Sequence, residues 1–256
     1  CLQTVVPSLF PFLVAARLFL RSGAAQWCTR AVGPIMEPIF GLPPQGASAL
    51  VLGMLSGYPV GAQTAASLYA SGQLTKEETE RLLGFCSNAG PAFIFGMVGG
   101  LFGSGKIAAV LFGVHIVSAL LTGLVLRPKG PAVTTPRRKA ALESSTGLDL
   151  PSAMTGAIKT MGLICGYIIL FQVIAAFLEQ ALGPWLAPAV KIGMAGLLEL
   201  SGGCSLLPQL EAAGLRYCMA SGFLAFGGLC VWLQTKSVLA PYGLTGRCYL
   251  PGKILQ

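Results

Sequence analysis

The sequence predicts an all-α, polytopic helical membrane protein with two inverted repeats, each a re-entrant helical hairpin followed by a broken transmembrane helix. Three observations lead there. Of 256 residues, 54% are hydrophobic and only 10% charged, with a mean hydropathy of +0.73; soluble domains carry about 25% charged residues. Several apolar runs are long enough to cross the ~30 Å of bilayer hydrocarbon. The stretch from Leu52 to Gly103 is apolar but twice interrupted, by SGYPVG (Ser56 to Gly61) and by SNAGP (Ser87 to Pro91). At membrane depth the backbone leaves the helix only where protein or a water-filled cavity satisfies its polar groups. Interrupted apolar segments therefore point to a transporter's binding site. The 34 glycines and 17 prolines suit close packing between membrane helices.

The first predicted span is Leu2 to Leu20. The chain opens at Cys1 inside this apolar run, and is expected to be a fragment or processed product lacking at least one N-terminal segment. Gly46 to Ser71 has its break in the middle. Each half is about ten residues, roughly 15 Å at the helical rise, enough to reach the bilayer midplane and return, so residues 46–71 form a hairpin. LTKEETERLL (Leu74 to Leu83) begins an amphipathic helix, with Thr75 as N-cap and Glu78 completing a capping box. Residues 82–102 form a span broken at SNAGP, and 107–126 an unbroken one. These elements make an N-terminal repeat, 1–126.

Residues 127–151 form a basic linker containing Arg127, Lys129, Arg137, Arg138, Lys139 and three prolines. The positive-inside rule makes it cytoplasmic. The C-terminal repeat, 152–256, holds a span at 160–178, a second hairpin at 192–215 and a broken span at 217–240. The second hairpin breaks at Ser201-Gly202-Gly203, beside Glu199; the last span breaks at Gly227-Gly228. In this scheme the first hairpin enters from inside and the second from outside, and of the 17 Lys and Arg residues only Lys106, Lys191 and Arg216 fall outside. The net charge of +8 is then a topology signal rather than a nucleic-acid patch. Leu55-Ser56-Gly57 followed by Asn88-Ala89-Gly90 is matched by Leu200-Ser201-Gly202 followed by Phe226-Gly227-Gly228. Repeats of inverted topology are associated with alternating access.

Enzyme chemistry finds no support. No Ser-His-Asp set, phosphate loop or pair of carboxylates at catalytic spacing is present. The eight cysteines are scattered, without a CxxC or a His/Cys cluster, so neither disulfide, metal nor cofactor is expected.

SGYPVGA, a short charged loop and then SNAGPAF closely resemble the YlbJ family of sporulation integral membrane proteins, within the wider nucleoside-recognition (Gate) group that includes spore maturation proteins. GLLELSGG (Gly196 to Gly203) and FGGLCVWLQ (Phe226 to Gln234) are similar to that family's distal motifs. The resemblance covers about Pro7 to Leu250, except the linker. It implies a membrane protein of endospore-forming bacteria, in a membrane derived from the mother cell, and a family implicated in moving dipicolinate toward the developing spore.

The substrate-binding candidates lie at the breaks. Ser56, Gly57, Tyr58 and Gly61 form the first, with Gln63 just beyond; Tyr58 either stacks on an aromatic ring or anchors the tip. Ser87, Asn88 and Gly90 form the second, before a half-helix opened by Pro91. Glu199, Ser201, Gly202 and Gly203 form the third, and Gly227 and Gly228 the fourth, with Gln234 at the end of its half-helix. Half-helix N-termini at Val60, Pro91, Gly203 and Gly228 offer free N–H groups and the positive end of the helix dipole to a carboxylate. Glu199 is costly in a membrane hairpin and either couples a proton or cation, binds a substrate donor, or caps and pairs structurally. Arg17 is expected to snorkel to the interface, His115 to be a satisfied core residue, and Gly99, Gly100 and Gly113 to serve packing. The function expected is alternating-access transport of a small planar anion, dipicolinate being favoured by the resemblance. The alternatives are a nucleoside or nucleobase transporter and a non-transporting sporulation scaffold or signalling protein. The expected partners are the bilayer, the solute and a coupling proton or cation; nucleic acid is not one.

Overall fold

The computed structural model describes residues 5–21, 24–128 and 149–256. Every regular element among them is helical. Among the described residues three helices are long and apolar enough to cross a membrane: Gly105–Val125, Leu150–Trp185 and Ala213–Tyr242. Their apolar surface faces outward. Val110, Val114, Val117, Leu121 and Leu124 form an exposed stripe on the first, and Ile158, Ile169, Val173 and Phe177 are exposed on the second. Apolar side chains at helical spacing on the outer face are what a lipid solvent requires.

The opening helix, Val5–Arg21, packs along Leu150–Leu182. Leu13 and Ala16 join Ala157, Met161, Ile164 and Ile168 in one buried cluster. The Arg17 guanidinium does not reach outward. It lies over Gly156, where a Cβ would collide with it, and donates to Thr160 Oγ1 at 2.9 Å. The long helix starts at Leu150, capped by Asp149 Oδ1 accepting from Ser152 N, so it extends well beyond 160–178 at both ends. Residues 129–148 of the linker lie outside the described residues.

The first hairpin consists of Gly46–Ser56 and Val60–Ala70 packed against each other. The second consists of Pro188–Leu198 and Leu200–Leu206, likewise packed together. Its break is at Glu199, in extended conformation (φ −146°, ψ 122°), and Ser201, Gly202 and Gly203 are helical rather than forming the break. The Glu199 carboxylate explains the shift: it caps Ser201 N and Gly202 N, which holds that turn in helix.

Residues 82–102 do not form one interrupted span. Helix Lys76–Leu83 ends at Gly84, the chain runs without regular helix to Gly90, and helix resumes over Ala92–Phe102. Phe85 and Cys86 are apolar because they are inserted into the protein. The Cys86 carbonyl sits where a Cβ on either Gly53 or Gly61 would overlap it. The capping box is present, with Glu78 N donating to Thr75 Oγ1 at 3.2 Å and Thr75 N to Glu78 Oε2 at 2.8 Å. The last span is interrupted at Gly227, between Ala213–Phe226 and Gly228–Leu239.

A further helix, Tyr249–Leu255, folds back onto the first half. Buried Glu80 holds its approach, accepting from Thr245 N (2.7 Å), Thr245 Oγ1 (3.0 Å), Gly246 N (3.1 Å) and Arg247 N (2.7 Å). Gly252 then lies directly against the Gly84 backbone, with no room for a Cβ. These contacts carry Lys253 into the interior.

Candidate functional site

The interruptions meet. Gly57, at φ +80°, turns the first hairpin, and a Cβ there would lie 2.9 Å from Gly90 N in the second interruption. Only glycine takes this conformation without strain. Tyr58 crosses to the other half of the chain: its hydroxyl donates to Leu224 O at 3.1 Å, and its ring lies against Gly227. Gly228, at φ +84°, sits beneath the Leu198 carbonyl beside Glu199.

Most polar side chains at these points have defined partners, and Ser87 is the exception. Asn88 is fully buried; its Nδ2 donates to Phe85 O at 2.8 Å, leaving Oδ1 as acceptor. Ala89 N donates to His115 Nε2 at 3.0 Å, so the lone histidine pins the second interruption. Glu199 accepts from Ser201 N (2.9 Å), Ser201 Oγ (2.6 Å), Gly202 N (2.7 Å) and, from the long helix, Gln172 Nε2 (3.4 Å). This is the arrangement of a structural cap. Gln234 is buried and donates to Cys230 Sγ at 3.2 Å. Ser87 Oγ is buried with no hydrogen-bond partner among the described residues.

Two cavities flank this junction. The smaller, about 70 Å³, is lined by Ser56, Gly57, Tyr58, Gly90, Glu199, Ser201 and Gln234, with Phe93, Ile164 and Val231 as apolar walls. The larger, about 420 Å³, is lined by His115, Ser118, Ser221, Lys253 and Gln256 against Leu111, Val114, Leu197 and Phe226. The remaining expected residues line neither. Gly61 packs on Cys86, Gly203 on the Gly196 backbone, and Gly202 carries the Glu199 cap. Gly227 and Gly228 supply the turn and close approach, and half-buried Gln63 lies off both cavities.

The half-helix start expected at Gly203 is at Leu200 instead, and its amides are taken by Glu199. The charge at the junction comes from Lys253, which the topology scheme places among the basic residues on the inner side of the membrane. Its Nζ donates to Gln256 Oε1 at 2.6 Å and Asn88 Oδ1 at 3.3 Å, and lies 5.4 Å from the Tyr58 ring centre and 6.0 Å from that of Tyr249. Burial lowers the pKa of this ammonium from the usual lysine value. A signal was present: Lys253 is a lone charge in the apolar YLPGKIL. Among the described residues no group of three His, Cys, Asp or Glu side chains is placed to hold a metal ion.

The family described as nucleoside recognition (Gate) matches residues 2–178. This chain belongs to the Gate family. The match takes in the first hairpin, the SNAGP interruption, His115 and most of the long helix; the second hairpin and Lys253 lie beyond it. The sporulation integral membrane protein YlbJ of Bacillus subtilis is 28% identical over a 291-residue alignment covering 99% of this chain and 71% of the Bacillus protein. No solved structure matches this Gate protein. Its kinship and its outward-facing apolar helices make it a bacterial integral membrane protein.

Proposed function

We propose that this protein is a sporulation-associated membrane transporter of a small, planar, anionic solute, with dipicolinate as the substrate. The observation that carries the reading is the convergence of four helix interruptions, from both halves of the chain, on two cavities beside a buried ammonium. Discontinuous helices meeting at a common site are the transporter arrangement, and a cation inside an apolar protein suits an anionic solute. The relative's role in sporulation supports placing the protein in a membrane of the developing spore. The two hairpins would enter from opposite faces, and access would alternate between their tips. In a cysteine-free background, single cysteines at positions 73 and 214 should then label from opposite sides of the membrane; labelling of both from one side would remove the inverted repeat.

A nucleoside or nucleobase is the second reading, favoured by the family description. Uptake into proteoliposomes separates the two. The account expects saturable dipicolinate uptake that excess picolinate suppresses and excess uridine does not. Uridine competition would favour the second reading. Uptake of neither solute would favour a scaffold.

A further inference from the structure

We propose that the larger cavity is a carboxylate-binding site, with Lys253 as the charge that receives a carboxylate carried on an apolar, aromatic body. The inference rests on the reading of the protein as an anion carrier, and it assigns the ligand to the cavity beside the C-terminal helix rather than to the smaller one between the hairpins.

The polar cluster at the inner end of this cavity is rich in donors and carries positive charge. His115 Nε2 accepts from Ala89 N, so the neutral imidazole has its proton on Nδ1. Nδ1 faces Gln256 Nε2 at 3.2 Å, and that amide nitrogen also donates to Asn88 Oδ1 at 3.1 Å. Reversing the Gln256 amide would give the His115 Nδ1–H an acceptor, but it would set the amide nitrogen 2.6 Å from the Lys253 ammonium and its oxygen against Asn88 Oδ1; the charged contact and the Asn88 contact select this orientation and leave the imidazole N–H facing a second donor. A lysine ammonium, an amide NH₂ and an imidazole N–H therefore converge where the acceptors are two neutral amide oxygens and the His115 carbonyl. Among the described residues no carboxylate is bonded to Lys253, and a buried charge without an opposite partner is costly. A carboxylate would supply both the counter-charge and the acceptors, through charge-assisted hydrogen bonds.

The walls select the rest of the ligand. Leu111, Leu197 and Phe226 present apolar surface, with Ser118 and Ser221 as further hydroxyls. At about 420 Å³ the cavity falls within the roughly 300–1,000 Å³ of small-molecule sites; the 70 Å³ of the other falls short. Val114 and Ile254 at its margin are exposed, so a carboxylate could arrive as a free aromatic acid or as a fatty acid from the bilayer.

The test is calorimetric titration of the purified full chain in neutral detergent with picolinate, dipicolinate, laurate and uridine. The inference expects binding of the two pyridine carboxylates and a tenfold to hundredfold loss in Lys253→Met, the range for a hydrogen bond to a charged group. Gly222→Phe leaves Lys253 untouched and projects into the cavity from a position where an added Cβ meets nothing within 4 Å; it should weaken binding comparably and covers the case in which Lys253→Met fails to fold. Laurate binding without pyridine carboxylate binding would overturn the aromatic ligand, and no carboxylate binding would overturn the site. Carboxylate binding unchanged in both variants, with dipicolinate uptake intact, would overturn the inference and leave the transport reading standing. Binding lost in both variants, in a protein whose wild type transports nothing, would support the site and overturn transport.

Discussion

The two hairpins make the same reversal by different means. In the first, Gly57 at φ +80° turns the chain, and Gly53 and Gly61 press against the Cys86 carbonyl with no space for a side chain. In the second, the turning residue is extended, a conformation open to any residue, and a carboxylate holds the next helix by accepting its first amides. Gly203 lies as closely against the Gly196 backbone, so both hairpins are closed by glycine contacts; the difference is at the turn, which a glycine conformation makes in the first and a side-chain cap holds in the second. Backbone contact at this distance tolerates no enlargement, whereas a side-chain cap can be weakened in steps. The turn of the second hairpin, at Glu199, is therefore the one whose geometry can change at modest cost.

The largest expected effect is at Gly53 and Gly61. Overpacking a close-packed site typically costs about 1–3 kcal/mol and occasionally more; here the added methyl meets backbone that has no rotamer to yield. Gly53→Ala or Gly61→Ala should abolish recovery of folded protein from detergent by size-exclusion chromatography. Gly193→Ala in the second hairpin, where the added Cβ meets only the flexible end of Met219 at 3.7 Å, should be recovered normally. Equal recovery of all three would break the comparison.

Next comes the cap. Glu199→Ala should lower stability by about 0.5–2 kcal/mol, the range for loss of an N-cap, read as a reduced melting temperature. Glu199→Gln keeps an acceptor oxygen and should lose less, leaving the pH response of transport unchanged. If Glu199→Gln kept its melting temperature and removed that response, Glu199 would be a coupling site and the comparison would need a functional term.

The smallest effect is at Tyr58, the strut that ties the first hairpin to the last span. Tyr58→Phe keeps the ring against Gly227 and loses one hydrogen bond to Leu224 O, worth about 0.5–1.5 kcal/mol. Thermal unfolding of this variant, alone and with Glu199→Ala, would show whether the two hairpins contribute independently: additive losses support it, and a large coupling energy contradicts it.

What could be read from the sequence was local. The SGYPVG turn, the Gly227-Gly228 interruption and the Thr75 capping box follow from residue types that dictate backbone conformation within a few positions. Ser201 to Gly203 looked like a break because glycines cluster there; the cap that keeps them helical depends on the direction of one Glu199 side chain. Residues 82–86 looked like part of a span because an apolar run reads alike whether it meets lipid or the inside of the protein. Lys253 looked like one more basic residue on the inner side because its burial depends on the C-terminal segment returning to Glu80, 165 residues away from Thr245 in sequence.

The most direct test of the account is a structure of the protein with dipicolinate bound. The account predicts one ligand in the larger cavity, a carboxylate oxygen within hydrogen-bond distance of Lys253 Nζ, and the ring against Phe226 or Leu197. Dipicolinate lodged in the smaller cavity against Ser56 and Ser201, with Lys253 still bonded only to Asn88 and Gln256, would contradict it.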